Sequence, residues 1–109
     1  MSEPCLEIIV FKVKDTIEAR RARMEAHAAM KTYDGFISWS GYEGLDDADL
    51  FADLVLWRDP DCAKAAANRL LKDPAFAATL AEMNGLLTLS RFTPARLVPE
   101  EMEPRARAA

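Results

Sequence analysis

An α+β fold of strand, helix, strand, strand, helix, strand order is predicted by three features of the sequence. Apolar residues recur at strand spacing over 6–14, 36–43, 50–57 and 86–93. Helix starts with an acidic cap stand at Asp15-Thr16-Ile17-Glu18 and at Asp59-Pro60. Turn residues separate the segments, with Gly35 before the second strand and Gly44-Leu45-Asp46-Asp47-Ala48-Asp49 between the second and third.

Each element follows from its residues. In Leu6 to Lys14, Leu6, Ile8 and Val10 share one face, and Ile9, Phe11 and Val13 share the other. Such a strand is expected to be covered on both sides. The first helix is predicted from Asp15, whose carboxylate accepts from the N3 amide while Glu18 reaches back, to about Lys31. Its Ala, Arg, Glu and Met residues are good helix formers, and Tyr33-Asp34-Gly35 ends it. In Phe36 to Glu43, Ile37 and Trp39 fall on one face, with Phe36, Ser38, Ser40 and Tyr42 on the other. The polar turn then predicts an antiparallel return along Leu50 to Trp57. There Leu50, Ala52, Leu54 and Leu56 share one face, and Phe51, Asp53, Val55 and Trp57 share the other. Pro60 at the first helical position after Asp59 starts a helix that runs through Cys62 to about Leu71. Asp73-Pro74 repeats that signal, so the helix is predicted to restart or kink and to stop at Asn84-Gly85. Leu86 to Thr93 is a shorter fourth strand. Pro94, Pro99 and Pro104 punctuate residues 94–109, an expected extended tail, free or laid on a partner, after a domain spanning 1–93.

This order is the ferredoxin-like βαββαβ plan, with helices on one face of a four-stranded antiparallel sheet. The first and third strands are apolar on both faces, so a monomer would expose a large apolar patch. A two-fold homodimer, sheet against sheet and closing an α/β barrel with helices outside, is the simplest remedy.

Composition narrows the function classes. The chain has 109 residues, of which 50% are hydrophobic and 29% charged, with a net charge of −4. One domain with a modest core is expected. An acidic chain of this kind supplies no basic groove for phosphates, so no nucleic acid is expected as partner. No apolar run reaches the roughly 20 residues that span a membrane. Met1-Ser2-Glu3-Pro4-Cys5 opens without the pattern of a secretion signal, and Cys5 and Cys62 stand in no motif, so a cytoplasmic protein with reduced thiols is expected. With one His and two Cys, a zinc site would need carboxylates or a second subunit. No Ser-His-Asp set, phosphate loop, dinucleotide glycine motif or paired CxxC is present.

Tyr33-Asp34-Gly35-Phe36, Trp57 and Asp73-Pro74-Ala75-Phe76, in that order and spacing, resemble the dimeric α/β-barrel superfamily. It includes the antibiotic biosynthesis monooxygenases and the haem-degrading monooxygenases, and the likeness covers about residues 6–93. The resemblance implies a pocket lined by an Asn on the third strand, a Trp four residues on, a Tyr six residues beyond, and an Arg in the second helix. It implies oxidation of phenols or anthrones by O₂ without metal, flavin or other cofactor. Here those positions hold Asp53, Trp57, Ala63 and a residue near Leu80. In the haem-degrading members the iron-binding His also falls near Leu80, where this chain has no ligand.

Asp53 is the leading catalytic candidate. It interrupts an apolar face, and a buried carboxylate must be paired or protonated. With a raised pKa it would abstract a phenolic or enolic proton; the plainer alternative is an ion pair with Arg91. Trp57, on the same face, is grouped with Asp53 as a catalytic candidate, as a flat wall for an aromatic ligand; the plainer alternative is core packing. Trp39 and Tyr42 lie on opposite faces of the second strand, so one is expected in the pocket and the other at the dimer interface. Phe51, Leu80 and Arg91 complete the expected substrate-binding set, with a small hydrophobic molecule as ligand. His27 sits among Arg23, Met24, Met30 and Lys31 and reads as a solvated helix flank, as do Arg20, Arg21 and Arg23. Two alternatives to a monooxygenase stay open: a non-catalytic barrel that binds an apolar ligand, and an isomerase or lyase using Asp53 as base.

Overall fold

The computed structural model describes residues 3–95. Most of the expected tail therefore lies outside the described residues. The elements are β1 (Cys5–Val13), α1 (Thr16–Met30), β2 (Phe36–Glu43), β3 (Leu50–Trp57), α2 (Pro60–Leu70), a 3₁₀ turn (Pro74–Phe76), α3 (Ala77–Glu82) and β4 (Met83–Phe92). The sheet is antiparallel with order β2-β3-β1-β4, the ferredoxin-like arrangement.

The helix starts form as their sequences dictate. Asp15 Oδ1 accepts from Glu18 N at 3.0 Å. The second half of the expected box does not form: the Asp15 N–H donates to Glu82 Oε1 at 3.1 Å, and Glu18 accepts from Arg21 at 2.8 Å. Asp59 caps α2 by accepting from Cys62 N at 2.8 Å, and Asp73 caps the 3₁₀ turn by accepting from Ala75 N at 3.0 Å. Between α1 and β2 the chain turns at Gly35, whose φ of 77° suits only a residue without Cβ.

Two registers depart from the sequence reading. A shift between Phe36 and Ser38 places an extra residue in β2. Phe36 and Trp39 therefore share the helix-covered face, opposite Trp57 and Val55, instead of lying on opposite faces. A bulge breaks simple alternation in this way. Phe36 meets Trp57 edge-on, with ring centroids 5.9 Å apart. The second departure is at Asn84-Gly85. These residues do not stop a helix. They lie inside β4, which begins at Met83 opposite Val13, with Gly85 at a φ of 117° where the register against β1 shifts.

The helices cover one face of the sheet. Ala19, Ala22, Ala26 and Met30 of α1 and Cys62, Ala63 and Ala66 of α2 are buried. They pack toward Phe51, Val55 and Trp57, the largest fully buried side chains. Small alanines on the helix stripes let the backbones approach the sheet closely. Tyr33 donates to Asp73 at 2.8 Å and lies under Arg69, whose Cζ is 4.0 Å from the ring centroid. Burial, seconded by that acidic neighbour, pushes the Tyr33 hydroxyl up to about 12. The other face of the sheet carries Leu6, Ile8, Val10, Leu50, Ala52, Leu54 and Leu56, none of them fully buried, and exposed Tyr42 and Phe92. No helix of the described residues is long and apolar enough to cross a membrane.

Candidate active site

A cavity of about 330 Å³ lies between the helix-covered face of the sheet and the second helical region. Its floor comes from three strands: alternate residues Glu7, Ile9 and Phe11 of β1 and Asp53 and Val55 of β3, with Met83, Leu86 and Leu89 of β4, which the register shifts against β1 space three apart. Its roof is apolar, from Ala67, Leu70, Leu71, Phe76 and Leu80, with Thr79 the polar exception. Trp39 and Met30 close the side nearest α1. The break at Asp73-Pro74 splits the helical region into α2 and α3, and both segments contribute to this roof.

Asp53 is 6% exposed. Its Oδ1 pairs with the Arg23 guanidinium, reaching down from α1. This replaces the pairing with Arg91 weighed from the sequence, since Arg91 pairs with Glu7 instead, Nε to Oε2 at 3.0 Å. Arg23 is not on a solvated helix face: its side chain is 17% exposed, with Cζ 5.5 Å from the Trp39 ring centroid and 5.2 Å from that of Phe51. Arg20 and Arg21 do point outward, to Glu43 and Glu18. Arg23 reaches Asp53 because Gly41, opposite Asp53 on β2, has no side chain. A Cβ there would collide with the guanidinium.

Burial pushes the Asp53 carboxyl above the ordinary aspartate range. The Arg23 charge, the Trp39 indole and the Arg23 hydrogen bond pull it down again without cancelling the rise. The Trp39 Nε1 hydrogen lies near that carboxylate but closes no hydrogen bond. Arg23 Nη1 and Thr79 Oγ1 are likewise buried without a partner among the described residues.

The residues singled out in the sequence divide by position. Asp53, Trp39 and Leu80 border the cavity together. Trp57 is buried beneath it, its indole donating to Glu7 at 3.4 Å. Phe51 packs in a second core cluster with Phe11 and Val13 and supports Arg23. Arg91 stands behind Glu7. Tyr42 lies on the opposite face of the sheet, 57% exposed. His27 is half-buried against Trp39, ring centroids 5.2 Å apart. It faces an open groove shared with Arg20, Arg23 and Lys31 on the far side of that indole.

Glu7 and Arg23 are the site residues that the sequence reading missed. Arg23 follows Ala19 by four residues and precedes Ala26 by three, so it lies on the stripe that faces the sheet. Glu7 alternates with Ile9 and Phe11, on the face that β3 and β4 flank. The residues do not suit haem in the manner of the haem-degrading monooxygenases that the sequence resembles. Leu80 forms roof where an iron ligand would stand, and His27 does not line the cavity. Among the described residues no three His, Cys, Asp or Glu side chains group together.

Known structures with this architecture cover nearly the whole chain. One is SnoaB, a cofactor-independent oxygenase from Streptomyces nogalater, 17% identical, with a TM-score of 0.72 over 90% of this chain and 99% of that one. Another is a protein from Caulobacter crescentus, named provisionally as an antibiotic biosynthesis monooxygenase. It is 15% identical, with a TM-score of 0.74 over 87% of this chain and 92% of that one. A third, from Nitrosomonas europaea and similarly named, is 16% identical, with a TM-score of 0.67 over 91% and 95%. No protein-family profile and no curated protein matches the sequence. The fold is thus an α+β ferredoxin-like one with a cavity between sheet and helices. More narrowly, it is the fold shared by the oxygenase SnoaB and by the proteins named provisionally as antibiotic biosynthesis monooxygenases.

Proposed function

We propose that the chain is a cofactor-independent, monooxygenase-like enzyme for a small hydrophobic aromatic substrate of phenol, quinol or anthrone type. The observation that carries this reading is a carboxylate of raised pKa on the floor of an otherwise largely apolar cavity. Asp53 takes a proton from the activated C–H or O–H of the substrate. The electron-rich anion passes one electron to O₂, and the resulting substrate radical and superoxide combine at carbon as a peroxide. The peroxide regains the proton from Asp53. At a CH₂ centre, loss of the remaining carbon-bound hydrogen with cleavage of the O–O bond leaves a carbonyl and one water, so O₂ supplies both oxygens. The oxygenase name of SnoaB, which has the same fold, supports this chemistry.

The test is O₂ uptake with a panel of phenols, quinols and anthrones, for the wild type and for Asp53→Asn. Uptake by the wild type alone is expected. No uptake with any of them overturns the reading. A second reading is a non-catalytic barrel that holds an apolar ligand. It draws on Ala63 in the core and Leu80 in the roof, which stand where the resemblance implies a Tyr and an Arg, and on the partner that Asp53 already has in Arg23. In that case Asp53→Asn leaves ligand affinity nearly intact.

The active form in this reading is a homodimer. The sheet face away from the helices is a continuous apolar surface of β1 and β3, and a second copy is self-complementary to it. Sedimentation at micromolar concentration tests this, and a monomer overturns it.

A further inference from the structure

The cavity is bordered by two carboxylates. Glu7 and Asp53 are the buried charged residues among those described, at 7% and 6% exposure, and both line the same space. Glu7 stands opposite Val55, and Asp53 stands opposite Ile9. The two side chains therefore leave one face of the sheet two positions apart on neighbouring strands. That offset is about 7 Å along the strands and about 5 Å across them. Each carboxylate is tied to an arginine from a different element, Asp53 to Arg23 of α1 and Glu7 to Arg91 of β4.

Neither carboxylate is saturated. An ionised carboxylate has about four acceptor positions. Arg91 Nε and Trp57 Nε1 donate to Glu7. Asp53 accepts from Arg23 through Oδ1, and its Oδ2 takes no hydrogen bond among the described residues. The lining between the two is apolar, with Ile9, Val55 and Leu89 on the floor and Leu80 and Phe76 on the roof. A ligand that lies across this floor meets an acceptor at each end and hydrocarbon in between. Charged side chains buried for stability alone gain little over apolar ones of the same volume, so a binding role accounts for Glu7 better than a structural one.

We propose that Glu7 is a second ligand-binding carboxylate of this cavity, and that the ligand is a flat aromatic molecule with a hydroxyl at each of two ends. One hydroxyl meets Asp53 and the other meets Glu7. This rests on the reading of Asp53 given above and narrows its substrate class to dihydroxy-aromatics. Arg91 and Trp57 are positioning residues that hold the Glu7 carboxylate toward the cavity.

The experiment compares a naphthalenediol, with its hydroxyls at opposite ends, against a naphthol of the same size by titration calorimetry. The wild type is expected to bind the diol at least about tenfold more tightly, the gain from one further hydrogen bond to a charged group. Glu7→Gln and Asp53→Asn are each expected to remove that preference. If Glu7→Gln leaves diol affinity unchanged while Asp53→Asn lowers it, Glu7 is structural and the proposal fails, while the reading of Asp53 stands. If neither variant alters diol affinity, or the wild type binds neither probe, both fail. Should Glu7→Gln leave Arg91 unpaired and the protein unfolded, the double variant Glu7→Gln/Arg91→Met removes both charges. Loss of the diol preference in that variant supports the proposal, and its retention overturns it.

Discussion

The two faces of the sheet invert the usual relation between burial and charge. The face packed under the helices carries Glu7, Asp53 and Arg91, and Arg23 descends onto it from α1. The face open to its surroundings carries leucine, isoleucine and valine along β1 and β3. Its one charge in those strands is at the margin, where Lys12 pairs with Asp47. A soluble monomer would have the reverse distribution. The contrast separates two tasks. The covered face tolerates its buried carboxylates because each has an arginine partner and borders the cavity. The open face is apolar in the manner of a surface meant to be covered.

The comparison can be broken most sharply on the open face. Leu54→Asp puts an unpaired charge at the centre of the proposed interface. Such a charge is expected to cost several kcal/mol on association, at least about 3, and so to convert a dimer into monomers in a sedimentation run. The same change on a protein that is already a monomer would leave its sedimentation unchanged, and the open face would then need another explanation.

On the covered face the largest effect is expected from Asp53→Ala. It strands the Arg23 guanidinium in the core, at a cost of about 3–5 kcal/mol for a fully buried pair, less here because Arg23 keeps some exposure. Urea unfolding measures the loss. The double change Asp53→Ala/Arg23→Met is expected to recover most of it. Recovery would show that the pair serves chemistry more than stability.

Gly41→Ala is a subtler probe, because it alters a residue outside the cavity. The new Cβ displaces the Arg23 guanidinium, with an expected overpacking cost of about 1–3 kcal/mol. Arg23 holds the Asp53 pKa down against burial. Its displacement therefore raises that pKa further. In the proposed mechanism Asp53 acts as a base only when ionised, so activity should fall as pH drops through its pKa. The acid limb of the wild-type pH–rate profile is expected above the ordinary aspartate range, and that of Gly41→Ala higher still. An unmoved limb in the variant would show that Arg23 does not tune the base.

The smallest expected effect lies away from both faces. Tyr33→Phe removes the hydrogen bond to the Asp73 carboxylate, at about 1.5 kcal/mol. The Tyr33 hydroxyl is pushed up to about 12 in the folded protein. The folded state thus holds a proton that the unfolded chain has already released in alkaline solution. Stability from this group is full below the ordinary tyrosine value and falls as pH rises from there toward 12. Alkaline unfolding of Tyr33→Phe should lack that contribution.

Strand order, helix caps and the apolar outer face were readable in the sequence because each rests on local spacing or on a cap within three residues. Asp15, Asp59 and Asp73 all cap as their motifs dictate. The site was readable only in part. Asp53 stood out as a charge among apolar neighbours, but its partner did not, because an arginine in a run of arginines looks solvated unless the alanine stripe around it is counted. The bulge in β2 moved Phe36 to the other face, and a one-residue insertion leaves little trace in an alternation that tolerates serine and glycine. Gly85 looked like a helix stop because a positive φ serves a helix end and a strand irregularity equally well. Glu7 went unremarked because it sat beside the first strand's apolar run, and its partner Arg91 is 84 residues away.

Gly41 has a consequence for how such a protein can change. The acidity of the Asp53 carboxyl is tuned from α1 through the gap that this glycine leaves, whereas the apolar walls of the cavity come mostly from β1, β4 and the roof helices. If Asp53 is the base as proposed, substitutions at Arg23 or Gly41 are expected to shift the pH at which the site works while the walls stay in place. Substitutions at Leu80, Leu86 or Leu89 remodel what fits while the base keeps its partner. On the proposed reading, reactivity and selectivity are carried by separate parts of one small chain, and each is open to variation without rewriting the other.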